Sequence, residues 1–191
     1  MKKIGLLGGT FDPPHVGHLI MAEEARLKGN LDEIWWMPNR IPPHKELSSG
    51  APEHQRIRLV EKMVEQHSTY KFSRLELERS GPSYTVDTIR HLLKTRPNDD
   101  FSFIMGGDSL KHFHLWYQSE ELQRMLRFIV LVRPGFAVAD TNNFKEILVI
   151  DDVSLELSSS YIREKIKGKS FNQFLLTKEV YQFVKENRLY E

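Results

Sequence analysis

The chain predicts an α/β fold: a doubly wound, mostly parallel sheet with helices on both faces, formed as one domain over residues 1–191. Three observations lead there. Short runs rich in Ile, Val, Phe and Leu alternate with helical patterns from one end to the other. No repeat or low-complexity linker interrupts the alternation. The first apolar run, Ile4-Gly5-Leu6-Leu7, breaks into glycines and then feeds a helical pattern, which is how a parallel sheet builds a phosphate site.

Strands are predicted at Lys3–Leu7, Glu33–Met37, Tyr70–Leu75, Phe101–Met105, Arg127–Val132 and Ile147–Ile150, mostly short runs rich in Ile, Val, Phe and Leu. Between and after them, helices are predicted at Val16–Lys28, Glu53–Gln66, Thr85–Thr95, Glu120–Met125 and Thr177–Glu186. In such a sheet ligands sit beyond the carboxyl ends of the strands, where strand order reverses. The segments that follow the strands therefore carry the chemistry.

The first strand is followed by Gly8-Gly9-Thr10-Phe11-Asp12-Pro13-Pro14-His15-Val16-Gly17-His18. Glycines let backbone approach a ligand, and the N–H groups at a helix start attract anions. His15 and His18 are three apart, so if the helix has begun there both rings lie on one face at its positive end. Half a metal site is the competing reading, but no Cys exists and no further ligand sits at the spacing a zinc ion needs. A dinucleotide fingerprint fails because G-x-G-x-x-G is absent, and a P-loop fails because no Gly-Lys-Ser/Thr closes the loop.

After the second strand, Pro38 to Lys45 holds three prolines and makes a stiff loop, with His44 and Lys45 at its end. Those two suit an anionic ligand or are ordinary exposed basic residues. After the fourth strand comes Gly106-Gly107-Asp108-Ser109, where Asp108 either meets ribose hydroxyls or caps a helix. Ser158-Ser159-Ser160-Tyr161-Ile162-Arg163 reads as another helix start, with Arg163 one turn from Ser159 or Ser160.

Bulk properties exclude other classes. The 27 Lys and Arg nearly equal the 26 Asp and Glu, so no charge field argues for nucleic acid or a membrane surface as partner. Zero cysteines exclude disulfides and suit a reducing cytosol. The apolar run behind Met1-Lys2-Lys3 is too short for a signal peptide, and nothing approaches the roughly 20 apolar residues of a membrane span. A cytoplasmic globular chain is expected.

The first loop resembles the signature G-x-F-D-x-x-H-x-G-H of the nucleotidylyltransferase superfamily, with every fixed position present. Leu157 to Arg163 resembles that family's second signature, Ile-Ser-Ser-Thr-x-Ile-Arg, with Leu157 for the Ile and Ser160 for the Thr. Both departures keep an apolar residue and a hydroxyl. The segment Gly81 to Thr88, then Gly-Gly-Asp-Ser, then Trp116-Tyr117, is similar to the nicotinate mononucleotide adenylyltransferases of bacteria, and the resemblance runs along essentially the whole chain.

That resemblance implies a Rossmann-like nucleotidylyltransferase fold and adenylyl transfer from ATP to nicotinate mononucleotide, a step of NAD biosynthesis. It gives His15, His18 and Arg163 catalytic roles, with His18 nearest the α-phosphate and with Ser159 and Arg163 on the β- and γ-phosphates. It assigns Gly8, Gly9, Thr10, Phe11, Gly17, Gly106, Asp108, Ser158, Ser159 and Ile162 to ATP. Lys45, Thr85, Ser109, Trp116 and Tyr117 go to nicotinate mononucleotide. Mg²⁺ is carried on the ATP phosphates, with no metal ligand from the protein, and a homodimer is the family habit.

Physical chemistry agrees with the acceptor. An indole such as Trp116 offers a pyridine ring a flat partner, and backbone N–H groups at Thr85 and Tyr117 suit a carboxylate. Core or interface packing is the plainer reading of Trp116-Tyr117. A phosphopantetheine adenylyltransferase would share both signatures. A nucleotide sensor would keep the glycine loop but could dispense with His18 and Arg163.

Overall fold

The computed structural model describes residues 1–41, 50–132, 142–153 and 156–191. Among the described residues, six strands form one sheet: β1 (Lys3–Gly9), β2 (Glu33–Pro38), β3 (Tyr70–Phe72), β4 (Asp100–Gly106), β5 (Arg127–Leu131) and β6 (Glu146–Ile150). The helices are α1 (Val16–Gly29), α2 (Glu53–Val64), α3 (Thr85–Thr95), α4 (Gly107–Lys111), α5 (Ser119–Met125), α6 (Ser159–Lys167) and α7 (Lys178–Glu186).

Strand order is β3-β2-β1-β4-β5-β6, and all these pairings are parallel. The chain winds outward from β1 in one direction, then returns to β4 and winds outward in the other. The order thus reverses between β1 and β4, and the crevice opens beyond Gly9 and Gly106.

Two packed layers hold the sheet, and alternation along the strands assigns residues to each. Leu7, Ile34, Trp36, Ile104 and Ile129 face α1, α2, α6 and α7, meeting Ala22, Ala25, Leu59, Val60, Ile162, Val180 and Val184. On the opposite face Ile4, Leu6, Phe101, Phe103, Phe128 and Val130 meet Val86, Ile89 and Leu92 of α3 and Leu122 of α5. Trp36 is fully buried, and burial of a side chain of that size contributes about 3 kcal/mol.

Most predicted elements appear with ends moved by a residue or two. Helix α7 starts at Lys178 because Thr177 is its cap, the hydroxyl accepting from Val180 N–H at 3.3 Å. The third strand stops at Phe72 rather than running to Leu75. It is an edge strand paired only with β2; Ser73 N–H makes a last bond to Trp36 O, and a turn at Arg74 then carries Glu76 and Leu77 inward. Helix α4 is where the capping alternative for Asp108 put a helix, beginning at Gly107.

Candidate active site

Residues 10–15 join β1 to α1. A side-chain carbon on Gly9 would come within 3.0 Å of the Phe11 ring, so the small residue is what lets that ring fold back under the strand. Phe11 takes a left-handed φ of 51°, which costs about 1 kcal/mol in a non-glycine residue. Burial of its ring against Trp36 and His18, at centroid distances of 5.5 and 5.1 Å, offsets that. Phe11 thus pins the loop from inside.

His15 is the extended N-cap of α1, and its N–H donates to His18 Nδ1 at 3.2 Å. In a neutral imidazole that bond places the ring proton on Nε2. The two rings lie 3.8 Å apart between centroids. Gly17 leaves room for this pairing, since a carbon there would approach His15 Nδ1 to 3.0 Å. Burial pushes the His15 imidazole down to about 4, so it is neutral at physiological pH.

Helix α6 brings the serines and Arg163 to the same loop. Ser158 caps it, its hydroxyl accepting from Tyr161 N–H at 3.2 Å. Ser159 Oγ donates to Pro13 O at 2.8 Å, and Arg163 Nη1 donates to Asp12 O at 2.7 Å while Nη2 reaches Ser160 Oγ at 3.2 Å. The expected placement of Arg163 one turn from Ser160 is what the helix has. Ile162 is fully buried in the core, which leaves only its backbone for a ligand.

Beyond β4, Gly106 is the extended N-cap of α4 and Asp108 lies exposed in its first turn. The capping alternative for Asp108 is thereby corrected: Gly106 occupies the cap, and Ser109 follows within the helix.

Thr85 is the first residue of α3, where N–H groups lack intrahelical partners. The preceding Tyr84 ring lies 4.6 Å from that of Tyr117, so the segments bearing Thr85 and Tyr117 adjoin. Trp116 is partly buried, edge-on to Phe103 at 5.8 Å and 5.4 Å from Phe113, while Tyr117 is 50% exposed. Trp116 therefore packs on the core through one side, as its plainer reading held. Lys45 and His44 lie outside the described residues.

Sequence reasoning missed Arg56 and Glu76, which are buried, and the half-buried Tyr190. Arg56 of α2, 1% exposed, donates from Nη1 to Thr10 O at 2.9 Å and Asn39 O at 3.0 Å, and from Nη2 to Arg40 O at 3.3 Å. It ties the loops after β1 and β2 together. Its spacing with Leu59, Val60 and Met63 on the buried face was a usable signal. Glu76 lies behind α3, and Tyr190 reaches Asp12; neither has a local pattern. Among the described residues, no group of three or more His, Asp or Glu is placed to hold a metal ion, and no helix is long and apolar enough to cross a membrane.

The chain is similar to known proteins over its whole length. The cytidylyltransferase-like family model matches residues 6–165. The nicotinate-nucleotide adenylyltransferase of Bacillus subtilis is 42% identical over 191 residues, covering 100% of both chains. A probable nicotinate-nucleotide adenylyltransferase of Bacillus pumilus matches equally, at 42% over 100% of both. Among solved structures, nicotinic acid mononucleotide adenylyltransferase of Plasmodium falciparum complexed with NaAD superposes with a TM-score of 0.84 at 22% identity, covering 100% of this chain and 98% of that one. The same protein complexed with APC gives 0.83 at 21% identity, with the same coverage. These two share the fold.

Proposed function

The chain belongs to the cytidylyltransferase-like family, and on that premise we propose that it transfers the adenylyl group of ATP to nicotinate mononucleotide, giving nicotinate adenine dinucleotide and pyrophosphate. One observation carries the reading beyond family membership. The Arg163 guanidinium bonds Asp12 O at 2.7 Å across 151 residues of sequence, so the two signature segments line one crevice at the reversal of strand order.

A phosphate oxygen of the mononucleotide attacks the α-phosphorus in line, and pyrophosphate leaves. The nucleophile is already an anion at neutral pH, so no general base is needed. What remains is positioning and charge neutralisation. His15 and His18 bind the triphosphate at the start of α1, with His18 Nε2–H directed to the α-phosphate. Ser159 and Arg163 take the leaving β- and γ-phosphates. Thr10, Gly8, Gly9, Gly17, Gly106 and Asp108 form the nucleotide path, and Ser158 shapes the helix start that faces it. Mg²⁺ enters as part of the substrate, on the triphosphate. On the acceptor side, Trp116 stacks on the pyridine ring, N–H groups of Thr85 and Tyr117 hold its carboxylate, and Ser109 and Lys45 are further ligands of the mononucleotide. A single domain, a cytoplasmic location and a homodimer belong to the same reading.

Pyrophosphate release from Mg-ATP, with nicotinate mononucleotide, nicotinamide mononucleotide and phosphopantetheine in parallel, tests it. Strong preference for the nicotinate form is expected. Release with phosphopantetheine alone overturns the acceptor. ATP binding without release for any acceptor favours a nucleotide sensor.

A further inference from the structure

Asp12 is buried, 4% exposed, at the centre of the phosphate loop, and three distant segments meet at its carboxylate. Oδ1 accepts from Ala51 N–H at 2.9 Å and from the Tyr190 hydroxyl at 2.7 Å. Oδ2 faces Arg163 Nη1 at 3.7 Å, and a side-chain carbon at Gly50 would collide with it. Arg163 meanwhile bonds the Asp12 carbonyl and Ser160 Oγ, an orientation that leaves its remaining donors for an anion.

Tyr190 is delivered to this point by design of the chain around it. Leu189 is buried and its N–H donates to Val184 O at 3.0 Å, closing α7. Arg188 and Tyr190 take left-handed φ values of 49° and 67°, which non-glycine residues hold only when surrounding contacts impose them. Those turns bring the phenol to a carboxylate 178 residues earlier. Burial, and then the Asp12 charge, hold the phenol well above its usual range, so it remains a donor at every working pH.

We propose that Tyr190 is a positioning residue of the triphosphate site, one that saturates Asp12 Oδ1 and so keeps the Arg163 guanidinium from collapsing onto the carboxylate. A buried carboxylate that loses a donor must find another, and Arg163 is the nearest cation able to close a bidentate pair. The hydroxyl of Tyr190 thus acts on the leaving phosphates through Arg163. This rests on the reading of Arg163 as a phosphate ligand.

The test is Tyr190→Phe, which keeps the ring and removes one oxygen. Affinity for a non-cleavable ATP analogue, measured by calorimetry, is expected to weaken about tenfold, with kcat/KM for ATP falling alike, as loss of a hydrogen bond to a charged group implies. KM for nicotinate mononucleotide should stay within about twofold, a split that general loosening of the fold would not give. In an Arg163→Ala background the same change should have no further effect on analogue binding. Analogue affinity unchanged by Tyr190→Phe, or an equal loss with and without Arg163, overturns the proposal. The binding arm stands apart from turnover: a wild-type protein that binds the analogue but adenylylates nothing would sink the proposed reaction and leave the Tyr190 comparison to be read as before.

Discussion

Glu76 and Thr88 share a hydrogen bond of 3.1 Å, the hydroxyl donating to Oε1, inside the layer that supports the start of α3. Arg79 donates to the same Thr88 oxygen at 2.9 Å and to Asp87 at 3.2 Å. Burial nevertheless dominates and pushes the Glu76 carboxyl up to about 7, with Thr88 and Arg79 opposing it. The folded protein therefore holds a proton that the unfolded chain releases near pH 4.5, and stability falls as pH rises between those values. Glu76→Gln should be more stable than wild type by about 2 kcal/mol at pH 8 and equal to it near pH 5. Urea unfolding at both values checks this; no gain at pH 8 refutes it.

His15 acts in the opposite sense over nearly the same window. Its folded value of about 4 lies below the unfolded 6.5, so the stability it permits is complete above pH 6.5 and lost as pH falls toward 4. The loss amounts to about 3 kcal/mol, and Glu76 conceals part of it in the wild type. His15→Asn should remove that slope. A wild-type-minus-variant difference that does not change from pH 7 to 4.5 would contradict it.

In the proposed reaction His18 Nε2–H meets charge that develops in the transition state, and its contact should tighten there. His18→Ala is expected to lower kcat by about 100-fold or more with KM for ATP within a few-fold. Steady-state kinetics decides, and a rise in KM alone would mean ground-state binding only.

Gly17→Ala places a carbon 3.0 Å from His15 Nδ1, so the ring must shift by a few tenths of an ångström. Activity should fall about tenfold through misplaced donors while the melting temperature changes little. Wild-type turnover in this variant would show that the ring pair tolerates displacement.

Trp116 packs on Phe103 and Phe113 with one side, so truncation has two effects. Trp116→Ala should raise KM for nicotinate mononucleotide far more than KM for ATP, and cost about 2–3 kcal/mol of stability. Trp116→Phe should recover most of the stability and part of the affinity. Equal effects on both substrates would place the indole outside the acceptor pocket.

The sheet was legible because a parallel strand covered on both faces is written as a continuous apolar run, as in Phe128-Ile129-Val130. The loops at the crevice were legible because glycines, prolines and histidines leave a local pattern. Contacts between distant segments leave none. Tyr190 looks like any residue after an amphipathic helix, and only the fold shows what its hydroxyl meets. Glu76 sits in a turn with neither Gly nor Pro to announce it. Asp108 failed as a cap because Gly106, two residues earlier, had already taken the extended conformation.

The residues proposed for the triphosphate, His15, His18, Ser159 and Arg163, ride on α1 and α6, on one side of the sheet. Thr85, Trp116 and Tyr117 belong to the opposite layer, with α3 and α5. The proposed activation and acceptor sites thus occupy separate storeys joined by a common floor. On the proposed reading, substitutions above that floor change the choice of acceptor, and substitutions below it change the bond that is cleaved.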